Sequence, residues 1–223
     1  MPRSARALAD NYCYHLINRG NGRQQVFHKE GDYRAFTDVL LGARRRYSIK
    51  VLACCLMPNH FHLLVQPLEA ALLNKWMQWV TTTHVRRYHT HYGTSGHLWQ
   101  GRYKSFIVQD DEHLLTIVRY IEGNPVRAML SPTAAQWPWS SHHVRNAVSE
   151  ESRPDLLPIP LPEEWPAFVD TPLSDAEIGK IRNSVNRQAP FGAENWMEEI
   201  CVRMGLESTL RRRGWQKGKK RKV

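Results

Sequence analysis

No run of this sequence approaches the ~18 consecutive apolar residues that a membrane-spanning helix requires, and no apolar leader-like stretch opens it. Both absences predict a soluble chain with no membrane partner. Cysteine is scarce: Cys13, Cys54, Cys55 and Cys201 are the four, and none sits in a C-x-x-C pair suited to zinc or redox work. A chain of 223 residues buries enough core to dispense with disulfide staples, so free thiols in a reducing cytoplasm are expected. No internal repeat is apparent. With 42% hydrophobic and 23% charged residues, the chain has the makeup of a folded globular protein rather than a disordered one.

Acidic residues are missing altogether from the C-terminal end. Residues 208–223 hold 8 Lys and Arg against no Asp or Glu, residues 1–149 hold 18 against 9, and residues 150–207 hold 5 against 12. The net charge of +10 is therefore two basic blocks around an acidic one. That pattern suits a polyanionic partner such as nucleic acid for the first block and the tail, with the acidic block free to fold back on a basic surface.

Residues 11–28 read as a strand, a Gly-Asn-Gly turn and a second extended piece. Phe36, Val39 and Leu40 then recur at helical spacing, between Asp32 as a cap and Arg44, Arg45 and Arg46 in a last turn that suits the helix dipole. Ile49 to Leu56 and His60 to Gln66 are strands joined by a Met57-Pro58-Asn59 turn, hence an antiparallel pair. A helix over 70–91, a strand over 101–108 and a helix from the Asp110-Asp111 caps to about Gly123 come next. This order predicts an α+β domain over 10–148, an antiparallel sheet covered by helices. A Pro-rich irregular connector is expected over 149–173. A helical segment over 174–210 opens with a Ser174/Glu177 capping box, and its second helix ends at Gly205. The basic tail, 211–223, is too charged to pack alone.

Two constellations carry chemistry. In Met57-Pro58-Asn59-His60-Phe61-His62-Leu63-Leu64-Val65, strand alternation puts His60 and His62 on one face and Phe61, Leu63 and Val65 on the other. Two neutral imidazoles on a rigid strand form half of a divalent-metal site and need a third donor. In the helix before Pro125, Leu114, Ile117, Val118 and Ile121 make the apolar stripe. Tyr120 and Asn124 emerge together on its flank with His113 between them, and the proline after Asn124 places that residue at the helix end.

Taken together, these segments resemble the REP-associated tyrosine transposases, a bacterial branch of the single-tyrosine HUH transposases of the IS200-like superfamily. The matching pieces are HLINRGN at 15–21, MPNHFHLLV at 57–65, LWQGRYKSFIVQ at 98–109, LLTIVRYIEGNPVRA at 114–128 and WPWSS at 137–141, continuing into SVNRQAPFG at 184–192 and GLESTLR at 205–211. The tail departs from the family pattern: an Arg-Gly-Trp-Gln-Lys-Gly run stands where Arg-Gly-Arg-Pro is expected. The resemblance implies an HUH, ferredoxin-like nuclease core, with His60 and His62 as metal ligands, Asn124 as the third, and Tyr120 as the nucleophile. The reaction it implies is metal-dependent cleavage and strand transfer of single-stranded DNA at repetitive extragenic palindromic (REP) hairpins, through a 5′-phosphotyrosine link.

Three neutral ligands without thiolates favour Mg2+ or Mn2+ over zinc. Arg19, Asn21, Arg102, Lys104, Arg119 and Arg127 are expected near phosphates, Trp99 as a base-stacking surface, and His113 as a helper to the tyrosine. The expected partner is single-stranded or hairpin DNA in a bacterial, nucleoid-associated setting, bound by a monomer or homodimer. The alternative is a non-catalytic REP-hairpin regulator. A histidine-triad phosphoesterase wants H-x-H-x-H, and position 64 is leucine. The Lys219-Lys220-Arg221-Lys222 end also reads as a nuclear-import signal, but the bacterial resemblance makes it a phosphate-binding tail.

Overall fold

Alternation along the strands sorts this molecule into two cores, one on each face of a single sheet. The structure is a computed structural model, and it describes residues 8–145 and 153–211. Strands β1 (Cys13–Arg19), β2 (Ile49–Met57), β3 (His60–Pro67) and β4 (Lys104–Val108) lie in the order β2-β3-β1-β4, with all pairings antiparallel. Tyr14, Leu16, Phe61, Leu63 and Val65 pack against α1 (Glu30–Arg46) and α2 (Ala70–Tyr92). Cys13 and Leu64, with Phe106 and Val108, pack against α3 (Glu112–Glu122). The α+β class and the antiparallel sheet covered by helices are as the sequence predicts. Among the described residues, no helix is long and apolar enough to cross a membrane.

Beyond α3 come two short helical turns, α4 (Asn124–Arg127) and α5 (Ser141–Val144), and then α6 (Trp165–Asp170), α7 (Asp175–Arg187), α8 (Glu194–Met204) and α9 (Glu207–Leu210). The later segments wrap around the sheet. Phe191 forms a parallel bridge to Val108, its N–H donating to the Ile107 carbonyl at 2.9 Å and its carbonyl accepting from Gln109 N–H at 2.9 Å. This crossing covers the free edge of β4, with Ile181 of α7 on one face and Ile200 of α8 on the other. Gly192 is needed there, because a Cβ would lie 2.5 Å from the Gln109 side-chain oxygen and 2.6 Å from the Trp196 ring. At the opposite edge, Asp155 takes the Val51 N–H on its carboxylate at 2.7 Å and returns its own N–H to the Val51 carbonyl at 2.8 Å.

Glu122, the last residue of α3, is fully buried and ties that helix to α5 and α6. Its carboxylate accepts from Ser141 Oγ (2.5 Å), from the Arg145 guanidinium (2.5 and 2.9 Å) and from Trp165 Nε1 (2.9 Å), with His142 Nδ1 at 3.2 Å. Burial pushes its pKa up, but the bonds from His142, Ser141 and Trp165 together with the Arg145 charge outweigh this and hold it below the usual carboxylate value.

Several local expectations are corrected. Asp32 is not the N-cap residue of α1, which is Lys29; it caps from the first turn, its carboxylate accepting the N–H groups of His28 and Lys29. The second extended piece near residue 26 is no strand, because the N–H groups of Val26 and Phe27 both turn to the Pro58 carbonyl. β4 starts at Lys104, after a loop in which Gly101 takes φ +154°. The Pro-rich stretch holds α6, whose Trp165 and Val169 are buried. The capping box at Ser174/Glu177 and the left-handed Gly205 (φ 65°) fall where the sequence places them. The boundary expected at 148/149, and all of the basic tail except Arg211, lie outside the described residues.

Candidate functional site

The site begins with the pairing register of β1 and β3. His60 faces Arg19 and His62 faces Ile17, so both imidazoles stand on the α3 side with ring centroids 5.0 Å apart. His15 of β1 shares that face. Its ring stacks on His62 at 5.1 Å, and its Nε2 lies 2.9 Å from His62 Nδ1 in a fully buried hydrogen bond. His60 Nδ1 in turn lies 2.6 Å from Asn59 Oδ1, while Asn59 Nδ2 donates to the Arg23 carbonyl, which fixes the amide orientation. Each imidazole of the pair thus has its Nδ1 engaged, leaving Nε2 for an incoming group. Burial keeps the rings neutral: the pKa of His60 is pushed down to about 4 and that of His15 to about 3, and His62 is held well below the usual histidine value.

Helix α3 brings Tyr120 over the same face. Its ring centroid lies 5.7 Å from His62 and 6.1 Å from His15, both edge-on. The Arg127 guanidinium stands over the phenol ring at 4.2 Å, while its Nη2 donates to the Tyr120 carbonyl at 3.1 Å. Asn124 is buried and turned back on the helix. Its Nδ2 donates to the carbonyls of Tyr120 (3.0 Å) and Ile121 (3.3 Å), and its Oδ1 accepts from Arg127 at 2.6 Å. It lies past the end of α3, as the first residue of α4, and its amide does not reach outward.

His60, His62, Tyr120 and Asn124 line one cavity of about 780 Å³. Arg19, Arg102, Lys104, Arg127 and Arg182 also line it, and no carboxylate does among the described residues. Five fixed cations without an acidic partner in the wall make a site for a polyanion. The donors His60 Nε2 and His62 Nε2 fit a borderline or hard divalent ion held loosely, and the third donor expected beside them, Asn124 Oδ1, is occupied by Arg127. A separate Asp111, Glu112 and His113 cluster at the start of α3 has ligand-like spacing, but none of its residues lines the cavity.

The family described as "Transposase IS200 like" matches residues 9–124, from β1 through Asn124. The chain belongs to the IS200-like transposase family. A protein of Haemophilus influenzae named as a REP-associated tyrosine transposase is 29% identical over 108 residues, 44% of this chain. The chain spans 61% of that relative's length. A solved REP-associated tyrosine transposase bound to a REP hairpin is 17% identical, with a TM-score of 0.55 over 71% of this chain and 94% of that one, and so shares the fold.

For this IS200-like chain the residues singled out in the sequence divide clearly. His60, His62, Tyr120, Asn124, Arg19, Arg102, Lys104 and Arg127 meet in the cavity. Asn21 is exposed but outside it, on a short 3-10 turn. Arg119 needs correction. It is buried, its Nη2 donating to the carbonyls of Thr171 (2.9 Å) and Pro172 (3.3 Å), with Glu177 at 3.6 Å and its guanidinium over Phe168 at 4.1 Å. It fastens α7 to the tyrosine helix, and it is buried outside the cavity, away from any phosphate bound there. Trp99 is a core residue, wedged against Phe61 and His84, and offers no stacking face. His113 bonds to Asp111 and leans on Phe191, and it does not line the cavity. Sequence reasoning missed His15, whose role depends on a strand register that no local pattern sets, and Arg182 and Asn186, which arrive from a helix 58 or more positions beyond Asn124.

Proposed function

We propose that this chain is a metal-dependent single-strand DNA endonuclease and strand transferase that cuts at REP-type hairpins by forming a 5′-phosphotyrosine link through Tyr120. The observation that carries the reading is the convergence of His60, His62 and Tyr120 in one cavity walled by cations and free of carboxylates among the described residues. A phosphodiester is the ligand such a wall selects, since it brings negative charge and no need for an acidic partner. The hairpin-bound relative with the same fold supports a hairpin with a single-stranded flank as substrate.

In this mechanism Arg19, Arg102 and Lys104 draw in the backbone and offset the repulsion that protects a phosphodiester from attack. Tyr120 Oη attacks the phosphorus, the bond to the 3′ oxygen breaks, the phenolic proton leaves to solvent and the 3′ oxygen gains one. Arg127, over the ring, stabilises the phenolate as it develops. A free 3′-hydroxyl reverses the step and completes strand transfer. A divalent cation, Mg2+ or Mn2+, held by His60, His62 and Asn124, supplies charge neutralisation at the phosphoryl oxygens when bound. Asn124 Oδ1 would take part through its second lone pair, the first being held by Arg127.

Incubation with Mn2+ and a hairpin oligonucleotide bearing a single-stranded flank is expected to give a protein–DNA species that survives denaturing electrophoresis and is absent with chelator. Tight, salt-sensitive binding with no such species in any of several divalent ions would mark the chain as a non-catalytic regulator instead.

His15 matters here through hydrogen bonding. A His62 that offers Nε2 to a cation must carry its proton on Nδ1, and His15 Nε2 is the acceptor in place for it. His15→Ala is expected to weaken Mn2+ binding about 10–100-fold, read by titration calorimetry without DNA. His15→Gln, whose amide oxygen accepts the same bond, should retain more of the affinity.

A further inference from the structure

Part of the cavity wall comes from α7, which lies outside the 9–124 family match. Arg182, Val185 and Asn186 all border the cavity, and Arg182 and Asn186 sit one helical turn apart. This helix is firmly placed. Its capping box is complete, Ile181 and Ser184 are buried beneath it, and Arg119, adjacent to Tyr120 in sequence, grips both its N-terminal approach and Glu177. The tyrosine helix and α7 therefore form one unit.

Arg182 is exposed, and none of the ion pairs of the described residues includes it. It shares the cavity with a second guanidinium, that of Arg127. Two guanidinium groups bordering one cavity with no carboxylate among its described lining residues repel each other unless an anion lies between them. A solvating surface arginine would instead sit among mixed charges, as Arg34 does with Glu30.

We propose that α7 is a wall of the DNA channel, in which Arg182, assisted by the Asn186 amide, holds a phosphate of the single strand next to the one presented to Tyr120. The inference rests on the phosphodiester reading above and extends it to the C-terminal segment. Arg127 approaches the same anion from the tyrosine side, so α7 sets where along the backbone the strand is gripped.

The test is fluorescence anisotropy of the full chain with a labelled hairpin oligonucleotide carrying a single-stranded flank, over a series of salt concentrations. Arg182→Ala is expected to weaken binding about tenfold at low ionic strength. The slope of log affinity against log salt should fall by about 0.7, the value for one fewer phosphate neutralised on a single strand. Arg182→Glu should go further, Arg182→Lys should restore most of the affinity and the slope, and Asn186→Ala should weaken binding with the slope kept. Because Arg182 is exposed, these variants should melt with the unaltered chain. If Arg182→Ala and Arg182→Glu both bind as the unaltered chain does while Arg102→Ala weakens binding, the α7 proposal fails and the phosphodiester reading stands. Failure of the unaltered chain to bind the oligonucleotide would overturn both.

Discussion

Tyr120→Phe is expected to abolish the covalent protein–DNA species, lowering its yield by about 10³-fold or more, while hairpin affinity and thermal stability stay near those of the unaltered chain. The substitution deletes one oxygen from a ring whose packing against Arg127, His62 and His15 is otherwise preserved. No other hydroxyl stands in for it among the described residues lining the cavity except Tyr103, whose oxygen is engaged by Asn74 at 2.8 Å. Denaturing electrophoresis with 5′-labelled and 3′-labelled strands checks the result and the polarity together, since only the fragment carrying the new 5′ phosphate should remain on the protein. A species that persists in Tyr120→Phe would move the nucleophile elsewhere.

The largest effect on stability is expected from Glu122. Glu122→Ala removes a buried carboxylate and strands the Arg145 guanidinium, the Trp165 indole N–H and the Ser141 hydroxyl. Breaking a buried pair in this way costs about 3–5 kcal/mol, which for a chain of this size lowers the melting temperature by on the order of 10 °C. The same residue gives the fold an acid limit. Its folded-state pKa lies below its unfolded value, so the stabilisation is fully present above the ordinary carboxylate range near ~4.3 and is lost as pH falls through the folded value. Thermal melts should show stability falling below about pH 4, and Glu122→Gln, which cannot titrate, should start lower and flatten that decline. An unchanged acid limb in Glu122→Gln would assign it to another group.

Much of this molecule is written locally. The order of strands and helices, the Ser174/Glu177 box and the Gly205 stop all depend on residues a few positions apart, and each stands where its pattern puts it. The shared face of His60 and His62 follows from the two-residue period of a strand. What the sequence hides is tertiary. Arg119 looks like any other basic residue beside a tyrosine, and only the return of 171–177 over α3 turns it into a buried clasp. Trp99 has the composition of a stacking surface, yet its indole completes the cluster of Phe36, Phe61 and His84. Asn124 falls just past the end of α3, where Pro125 opens a new turn, but the choice between an outward amide and one bonded to Arg127 is made by a residue three positions on and by the space around it.

The strap at Phe191 has a practical consequence. A version of the chain cut back to the family-matched portion would leave β4 with a bare row of amides and carbonyls, a template on which other molecules add strands. Such a fragment would be prone to self-association and would lack the helix that Arg119 fastens to the tyrosine segment, so insolubility and inactivity would arrive together and one could be mistaken for the cause of the other.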